Sequence, residues 1–304
     1  MITPRRTRLV RVPDLHAFRH AIVELVHSRA LLGTFVVVPN TSAARQLHRF
    51  IRHRLQDPPE RAVEILTRDE LYDRLPAGLV DPPRRLTPFE REVIAQAAAR
   101  DAAAALGGGA AAVFQLRPGL VAEMLRFYDQ LRRQGQQVAR FEELLEDALG
   151  RDAEFDRGAE RMLQQTRLLA AAFRAYERRV AASGGSDEHA LRERLTGESF
   201  SSPARAIVIT VADWIADPGG LYAADFDLLT RMSGVETIDL VVTRGVLASG
   251  FHQRIRDWLP GMEEMDWDGP GRLRPTLSVP AAPPDRHWFT SRDREEELIG
   301  MANQ

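Results

Sequence analysis

The sequence predicts an α/β fold in which a parallel sheet is interrupted by a long all-helical segment. Short runs rich in β-branched residues alternate with helical patterns near both ends of the chain, as in doubly wound parallel sheets. From about Pro82, strand patterns disappear for roughly 120 residues and helical periodicity dominates. We therefore predict a discontinuous α/β domain, made of residues 1–80 and 203–304, and an all-helical insertion subdomain over 81–202.

The N-terminal part of the predicted sheet consists of three strands, each followed by a helix. A continuous β-branched run at 33–38 is typical of a strand buried on both faces, and Pro13 or Asp14 opens the first helix. The predicted strands cover residues 9–12, 33–38 and 63–66, and the predicted helices cover 16–28, 43–55 and 67–75.

The central segment is rich in Ala, Leu, Arg and Glu, which favour helices. Glycines at 107–109, 135 and 184–185 separate its helices. The predicted helices cover residues 87–106, 118–134, 141–149, 153–182 and 187–195.

Strand patterns return after the helical segment. Residues 206–211 and 237–242 form buried strands, with a helix from Asp217 to Met232 between them. A proline-rich loop then leads to a last strand at 287–289. A final helix starts at Asp293 and stops after about three turns without a Gly or Pro signal, so we expect this chain to be the N-terminal portion of a longer protein.

The composition excludes several kinds of chemistry. None of the 304 residues is lysine, so an ordinary phosphate-binding P-loop, which needs a lysine, is excluded. The absence of cysteine excludes disulfides, iron–sulfur ligation and thiolate zinc sites. No apolar run of about 18 residues and no signal-peptide pattern occurs, so we expect no membrane span and a cytoplasmic protein.

Charge is unevenly distributed although the net charge is only −2. The first 60 residues contain ten arginines and four acidic residues, whereas residues 251–304 contain seven arginines and ten acidic residues. A polyanion is therefore expected to meet the N-terminal segment first.

One stretch resembles a known family. The stretch from Val36 to Leu47, which reads Val-Val-Val-Pro-Asn-Thr-Ser-Ala-Ala-Arg-Gln-Leu, is similar to the strand and loop that contact single-stranded DNA in superfamily 1 helicases of the UvrD/RecB type. It most resembles the version found in the B subunits of AddAB-type helicase–nucleases and related PD-(D/E)xK nuclease family proteins. Weaker similarities follow in the same order at 65–71, 185–191 and 293–297.

The resemblance implies a RecA-like, P-loop-type helicase domain whose motor is inactive. Where active relatives have the P-loop, residues 11–19 contain neither glycine nor lysine. Asp213 stands alone where an Asp-Glu pair would hold Mg²⁺ and orient water. The sensor segment after the 237–242 strand is replaced by residues 243–246. We expect no ATPase site, no nuclease site and no cofactor in this chain.

Seven residues are predicted to contact DNA, six of them because they lie where strands end and helices begin. They are Asn40, Thr41, Ser42, Arg45, Arg49, Thr67 and Arg68. Arg49 belongs to a basic helix face with Arg45, His48 and Arg52. An ordinary N-cap explains the polar residues after the second strand equally well, and a capping box formed with Glu70 explains Thr67.

Other candidate sites have simpler structural explanations. His16 and His20 have the spacing of a shared metal site, but a solvated histidine pair is more common. Asp187-Glu188-His189 is interpreted as a helix start, not as a hydrolase site. Trp214 and Trp258 could stack on bases, but core packing is favoured. The pairs Arg132-Arg133 and Arg178-Arg179 are either phosphate contacts or solvated helix faces.

The resemblance implies a role in double-strand-break end processing and recombinational repair. The chain would bind DNA, single-stranded or at a duplex end, and dock a partner helicase–nuclease subunit. Nuclease chemistry and its Mg²⁺ would belong to a C-terminal region of a PD-(D/E)xK exonuclease. The alternative is a protein-interaction scaffold that docks a partner motor subunit without contacting DNA.

Overall fold

The predicted α/β class with a parallel sheet is confirmed in the computed structural model. All five strand pairings of the main sheet are parallel. The structure describes residues 5–29, 33–54, 63–106, 116–150, 155–198, 200, 202–211, 221–248, 252–267 and 269. The predicted strand at 287–289, the helix from Asp293, and Asp213, Trp214 and Asp217 lie outside these residues.

Six strands form the main sheet in the order β3-β2-β6-β7-β1-β8, and a separate pair is formed by β4 and β5. Strands that precede and strands that follow the helical segment therefore belong to one sheet, and β1 lies between β7 and β8. The strands are β1 Arg6–Val12, β2 Thr34–Val38, β3 Val63–Thr67, β4 Arg84–Arg85, β5 Gly185–Ser186, β6 Ala206–Val211, β7 Thr237–Thr243 and β8 Glu263–Asp266.

Ten helices connect or follow these strands in the described residues, apart from single turns at 75–78 and 244–246. They are α1 Leu15–Ser28, α2 Thr41–Arg54, α3 Arg68–Arg74, α4 Pro88–Ala105, α5 Pro118–Arg133, α6 Val138–Leu149, α7 Arg157–Ala182, α8 Glu188–Gly197, α9 Ala223–Arg231 and α10 His252–Trp258. Most of the predicted boundaries agree within about three residues, which is the precision expected of sequence patterns.

Both faces of the sheet are buried, because successive side chains of each strand point to opposite faces. On one face, Leu9 belongs to a core that includes residues of α3, α8, α9 and α10. On the other face, Val10 belongs to a core that includes residues of α1 and α2. The continuous apolar runs of β2 and β6 follow from this double coverage.

Helices α4 to α7 pack around a hydrophobic core of their own. The buried face of α4 consists of alanines at positions 95, 98, 99, 102 and 103, and these small side chains allow the much longer α7 to approach closely. Tyr128, Phe173 and Tyr176 fill the space beside them, with ring centroids of Tyr128 and Phe173 5.2 Å apart. No described helix combines the length and apolarity needed to cross a membrane.

Short strands within and beyond the helical segment were not predicted. β4 and β5 pair at the two ends of that segment, but two residues are too few to produce a strand pattern. β8 lacks apolar alternation because it is an acidic edge strand. Its carboxylates pair with arginines of β1, Glu263 with Arg6 and Asp266 with Arg11, and cross-strand charge pairs of this kind stabilise an edge.

Candidate nucleic-acid interface

The turn between β2 and α2 is built by Asn40. Its side-chain Oδ1 accepts a hydrogen bond from the backbone N–H of Ala43 at 2.9 Å, which is N-cap geometry. Thr41 and Ser42 follow in the first turn of α2, and both side chains are exposed. The N-cap explanation is confirmed for Asn40, and two hydroxyls remain beside it at the carboxyl edge of the sheet, where ligands of open α/β sheets bind.

The exposed face of α2 is strongly basic. Arg45, Arg49 and Arg52 lie at helical spacings that place them on one side, with His48 beside them. Leu47 and Ile51 are buried on the opposite side, and this pattern fixes the orientation of the helix. No acidic residue occurs in α2.

Arg45 and Arg49 have no carboxylate partner within the part of the chain that the structure describes. The nearest polar contact of Arg45 is a long one, 3.5 Å from its Nε to the carbonyl oxygen of Thr41. Elsewhere, most exposed arginines pair with an acid, as Arg179 does with Asp101. The guanidinium groups of Arg45 and Arg49 therefore keep their donors available for an external anion.

At the β3–α3 junction the capping-box explanation of Thr67 is confirmed, whereas the position of Arg68 differs from the prediction. Thr67 forms the capping box with Glu70, so its hydroxyl is already engaged. Arg68, predicted to contact a phosphate, is only 4% exposed. Because α3 contributes Leu71 and Tyr72 to the core against the sheet, its first side chain points inward. In this structure Arg68 is therefore not available to a phosphate.

Arg68 lies at the centre of a buried ion-pair network. Its Nε and Nη2 donate to the two carboxylate oxygens of Asp225 at 2.7 and 3.1 Å, and its Nη1 donates to Glu188 at 2.8 Å. The guanidinium also lies over the ring of Tyr222, 5.0 Å from its centroid. Burial alone would lower the pKa of Arg68, but Asp225 and Glu188 raise it above its ordinary value.

The partners of Arg68 have other hydrogen bonds of their own. Asp225 also accepts from the hydroxyl of Tyr72 and from the backbone N–H of Tyr222. Glu188 accepts from Nε of Arg133 at 2.7 Å. Burial favours the neutral acid, yet the hydrogen bond from Arg133 and the charge of Arg68 hold the pKa of Glu188 well below its ordinary value. The network thus joins α3, α9, α8 and α5.

A second set of buried contacts extends this network into the helical segment. Nε2 of His189 lies 2.9 Å from Asp129, and its Nδ1 lies 3.0 Å from Arg192. Because arginine can only donate, Nδ1 of His189 accepts, and Nε2 carries the proton toward Asp129. Arg91 also binds Asp129, and its Nε donates to the hydroxyl of Tyr176 at 3.0 Å.

Asp129, Glu188 and His189 come close enough together to resemble a metal site. Their ligand atoms are already occupied, because Arg91 binds Asp129 while Arg68 and Arg133 bind Glu188. A divalent cation would have to displace guanidinium groups that cannot lose their charge. The arrangement fits an ion-pair network better than a metal centre. The predicted helix start is confirmed, since Asp187 accepts from the backbone N–H groups of His189 and Ala190.

His16 and His20 are neighbours, with ring centroids 4.5 Å apart, but they lie in an aromatic cluster. His20 contacts the ring of Phe50 edge-on and stacks on Trp267. Glu24, on the same helix, accepts a hydrogen bond from Nε1 of Trp267 at 2.9 Å. Packing between α1, α2 and the end of β8 accounts for these residues.

The end of β1 lacks the form of a phosphate site. Oδ1 of Asp14 accepts hydrogen bonds from the backbone N–H groups of His16 and Ala17, both at 2.9 Å. These are the donors that would bind a phosphate at the start of a helix. A carboxylate in that position occupies the donors and repels an anion.

We therefore expect the turn between β1 and α1 not to bind the triphosphate of ATP. In a thermal-unfolding series, millimolar ATP with Mg²⁺ should raise the Tm no more than AMP at the same concentration, because a ligand stabilises only through binding to the native state. Unfolding followed by tryptophan fluorescence checks this. A Tm that rises further with ATP than with AMP would show that a triphosphate site exists despite Asp14.

The remaining candidates are mainly structural. Trp258 stacks on Phe226 at 4.9 Å and packs against the core, as predicted. Arg132 is buried, and Arg133 and Arg179 pair with acids. Arg178 is exposed. Of these four arginines, only Arg178 is exposed and has no ion pair with the described residues.

No protein-family model and no curated protein matches this chain.

The sequence did not reveal the ion-pair partners of Arg68. Asp225 is separated from it by 157 positions, and the sole local indication was that Asp225 could serve as the acidic member of a capping box for α9.

Proposed function

We propose that the chain binds DNA through the exposed arginine face of α2. The observation that carries this proposal is the pair Arg45 and Arg49, which have no carboxylate partner among the described residues, beside the exposed hydroxyls of Thr41 and Ser42. Phosphate contacts of this type come from arginines, hydroxyls and helix N-termini, and they bind without reading the sequence. Single-stranded DNA or a duplex end is the proposed ligand.

We further propose that the chain is the non-hydrolysing, helicase-like N-terminal region of an AddB-type or PD-(D/E)xK nuclease family protein. A parallel sheet whose strands come from both sides of a long helical segment supports a RecA-like domain with an inserted helical subdomain. The carboxylate of Asp14 at the start of α1 and the absence of lysine support an inactive motor. Its work would belong to DNA end processing and recombinational repair.

One observation favours the scaffold function as the second candidate. An apolar groove between α5 and α7, about 260 Å³ in volume, is lined by Leu120, Phe127 and Leu169. Leu120 and Phe127 are each 37% exposed, and grooves with several such side chains serve as docking surfaces. Under this function a partner motor subunit binds the helical segment and α2 does not contact DNA.

Equilibrium binding to a fluorescent oligothymidine separates the two functions. We expect binding at low salt that weakens steeply as salt is added, because phosphate contacts release counterions. Arg45→Ala should weaken binding by several-fold at any sequence, since a phosphate contact is not base-specific. If the unmodified protein fails to bind at 50 mM salt, about the lowest useful ionic strength, the scaffold function is the one that remains.

A further inference from the structure

A polar cavity lies at the carboxyl edge of the sheet, on the α10 side. Its volume is about 350 Å³, and it is lined by Arg11, Arg244, Leu247, Ala248, His252 and Asp266. Arg11 and Asp266 are near the ends of β1 and β8, and Arg244 follows β7 directly. The cavity therefore occupies the crevice in which open α/β sheets bind ligands. The DNA-binding proposal does not include these residues.

Arginine charge exceeds carboxylate charge around this cavity. Asp266 accepts from Arg11 and Arg244 at 3.0 and 3.1 Å, so both of its oxygens are used. Behind them, Glu264 is shared by Arg11, His252 and Arg256. The guanidinium groups at and behind the cavity, of Arg11, Arg244 and Arg256, thus outnumber the two carboxylates by one. A bound anion would neutralise this excess positive charge.

Arg244 has donors to spare. Among the described residues its guanidinium makes one ion pair, to Asp266, and its side chain is 60% exposed. A guanidinium carries five N–H donors in a fork that matches phosphate oxygens. The Nε–H of Arg11 also lacks an acceptor in the described part of the chain, but its nitrogen is buried, so Arg11 would meet a ligand through its terminal N–H groups.

Leu247, Ala248 and His252 also line the cavity, so part of its lining is apolar or aromatic. A cavity of this size lies at the small end of ligand sites, and it exceeds what a bare phosphate needs. A ligand with one anionic end and one flat, weakly polar end fits this mixed lining.

We propose that this cavity binds a nucleoside monophosphate, either free or as the 5′-phosphorylated end of a DNA strand. The phosphate contacts Arg244 and Arg11, and the sugar and base lie against Leu247 and His252. Asp266 competes with the phosphate for the two arginines and so limits the affinity.

Calorimetric titration with thymidine 5′-monophosphate tests the proposal on the full chain, with thymidine as the control that lacks the anion. Arg244→Ala should weaken binding by about tenfold, the effect of one charge-assisted contact. Asp266→Asn should strengthen it, because it removes the competing carboxylate. Arg231→Ala is the matched control, since Arg231 is similarly exposed and pairs with a single acid, Asp227.

Binding of thymidine equal to that of the monophosphate would overturn the proposal, as would an unchanged affinity in Arg244→Ala or a weaker one in Asp266→Asn. Oligonucleotides with and without a 5′-phosphate then identify the source. In the Arg45→Ala/Arg49→Ala background, tighter binding of the phosphorylated oligonucleotide than of its unphosphorylated form indicates a DNA end, and equal binding of the two indicates a free nucleotide. The double variant Arg45→Ala/Arg49→Ala should retain monophosphate binding, so the outcome is independent of DNA binding by α2.

Discussion

Replacement of Arg68 by methionine is expected to lower the free energy of unfolding by about 3–5 kcal/mol, the usual cost of removing one partner from a buried ion pair. The reason is that Asp225, which is 1% exposed, would lose two of its hydrogen bonds and its close cationic partner, keeping only the longer contact with Arg192 at 3.7 Å. Glu188 would keep Arg133 as a partner, so the loss is concentrated on Asp225.

Urea unfolding followed by circular dichroism measures this loss. Arg74→Ala is the matched control, because Arg74 is on the same helix and its ion pair with Glu64 is exposed on both sides. That variant should change stability by less than about 1 kcal/mol. Equal, small effects of the two variants would show that Arg68 is not buried in an ion pair and would restore it as a candidate DNA contact.

Charge reversal on α2 is expected to have the largest effect on DNA binding. Arg45→Glu/Arg49→Glu should reduce affinity by about 100-fold or more, because each reversal removes a phosphate contact and places a like charge near the DNA, which costs several kcal/mol. Both side chains are exposed, so the fold should be unaffected. Anisotropy titration of an oligothymidine measures the effect.

A second charge reversal controls for the change in net charge. Arg100→Glu/Arg161→Glu makes the same change on exposed positions of α4 and α7, away from the proposed interface. This variant should bind DNA nearly as well as the unmodified protein. Comparable losses in both double variants would mean that overall charge, not the α2 face, determines the affinity.

The elements of the sheet could be predicted from the sequence because burial dictates their composition. β2 and β6 are covered on both faces and therefore consist almost entirely of apolar residues. β8 could not be predicted, since its residues are acidic and its stability depends on arginines of β1 that lie more than 200 positions away. Edge strands carry little of the pattern on which such predictions rest.

The two arginines at strand ends show where site prediction succeeds and where it does not. Arg45 and Arg68 follow neighbouring strands and have similar local sequence contexts, a turn and a helix start. One is exposed on a helix whose buried face consists of Leu47 and Ile51, and the other is enclosed by α8 and α9. Only the tertiary packing of those later helices distinguishes an available cation from a structural one.

The most direct test of the α2 interface places a benzophenone side chain at Gln46, an exposed position on that helix. The same group at Gln130, exposed on α5, is the control. After irradiation with oligothymidine at low salt, we expect a protein–DNA adduct at Gln46 that disappears in the Arg45→Glu/Arg49→Glu background. An adduct at Gln130 but not at Gln46 would contradict DNA binding by α2.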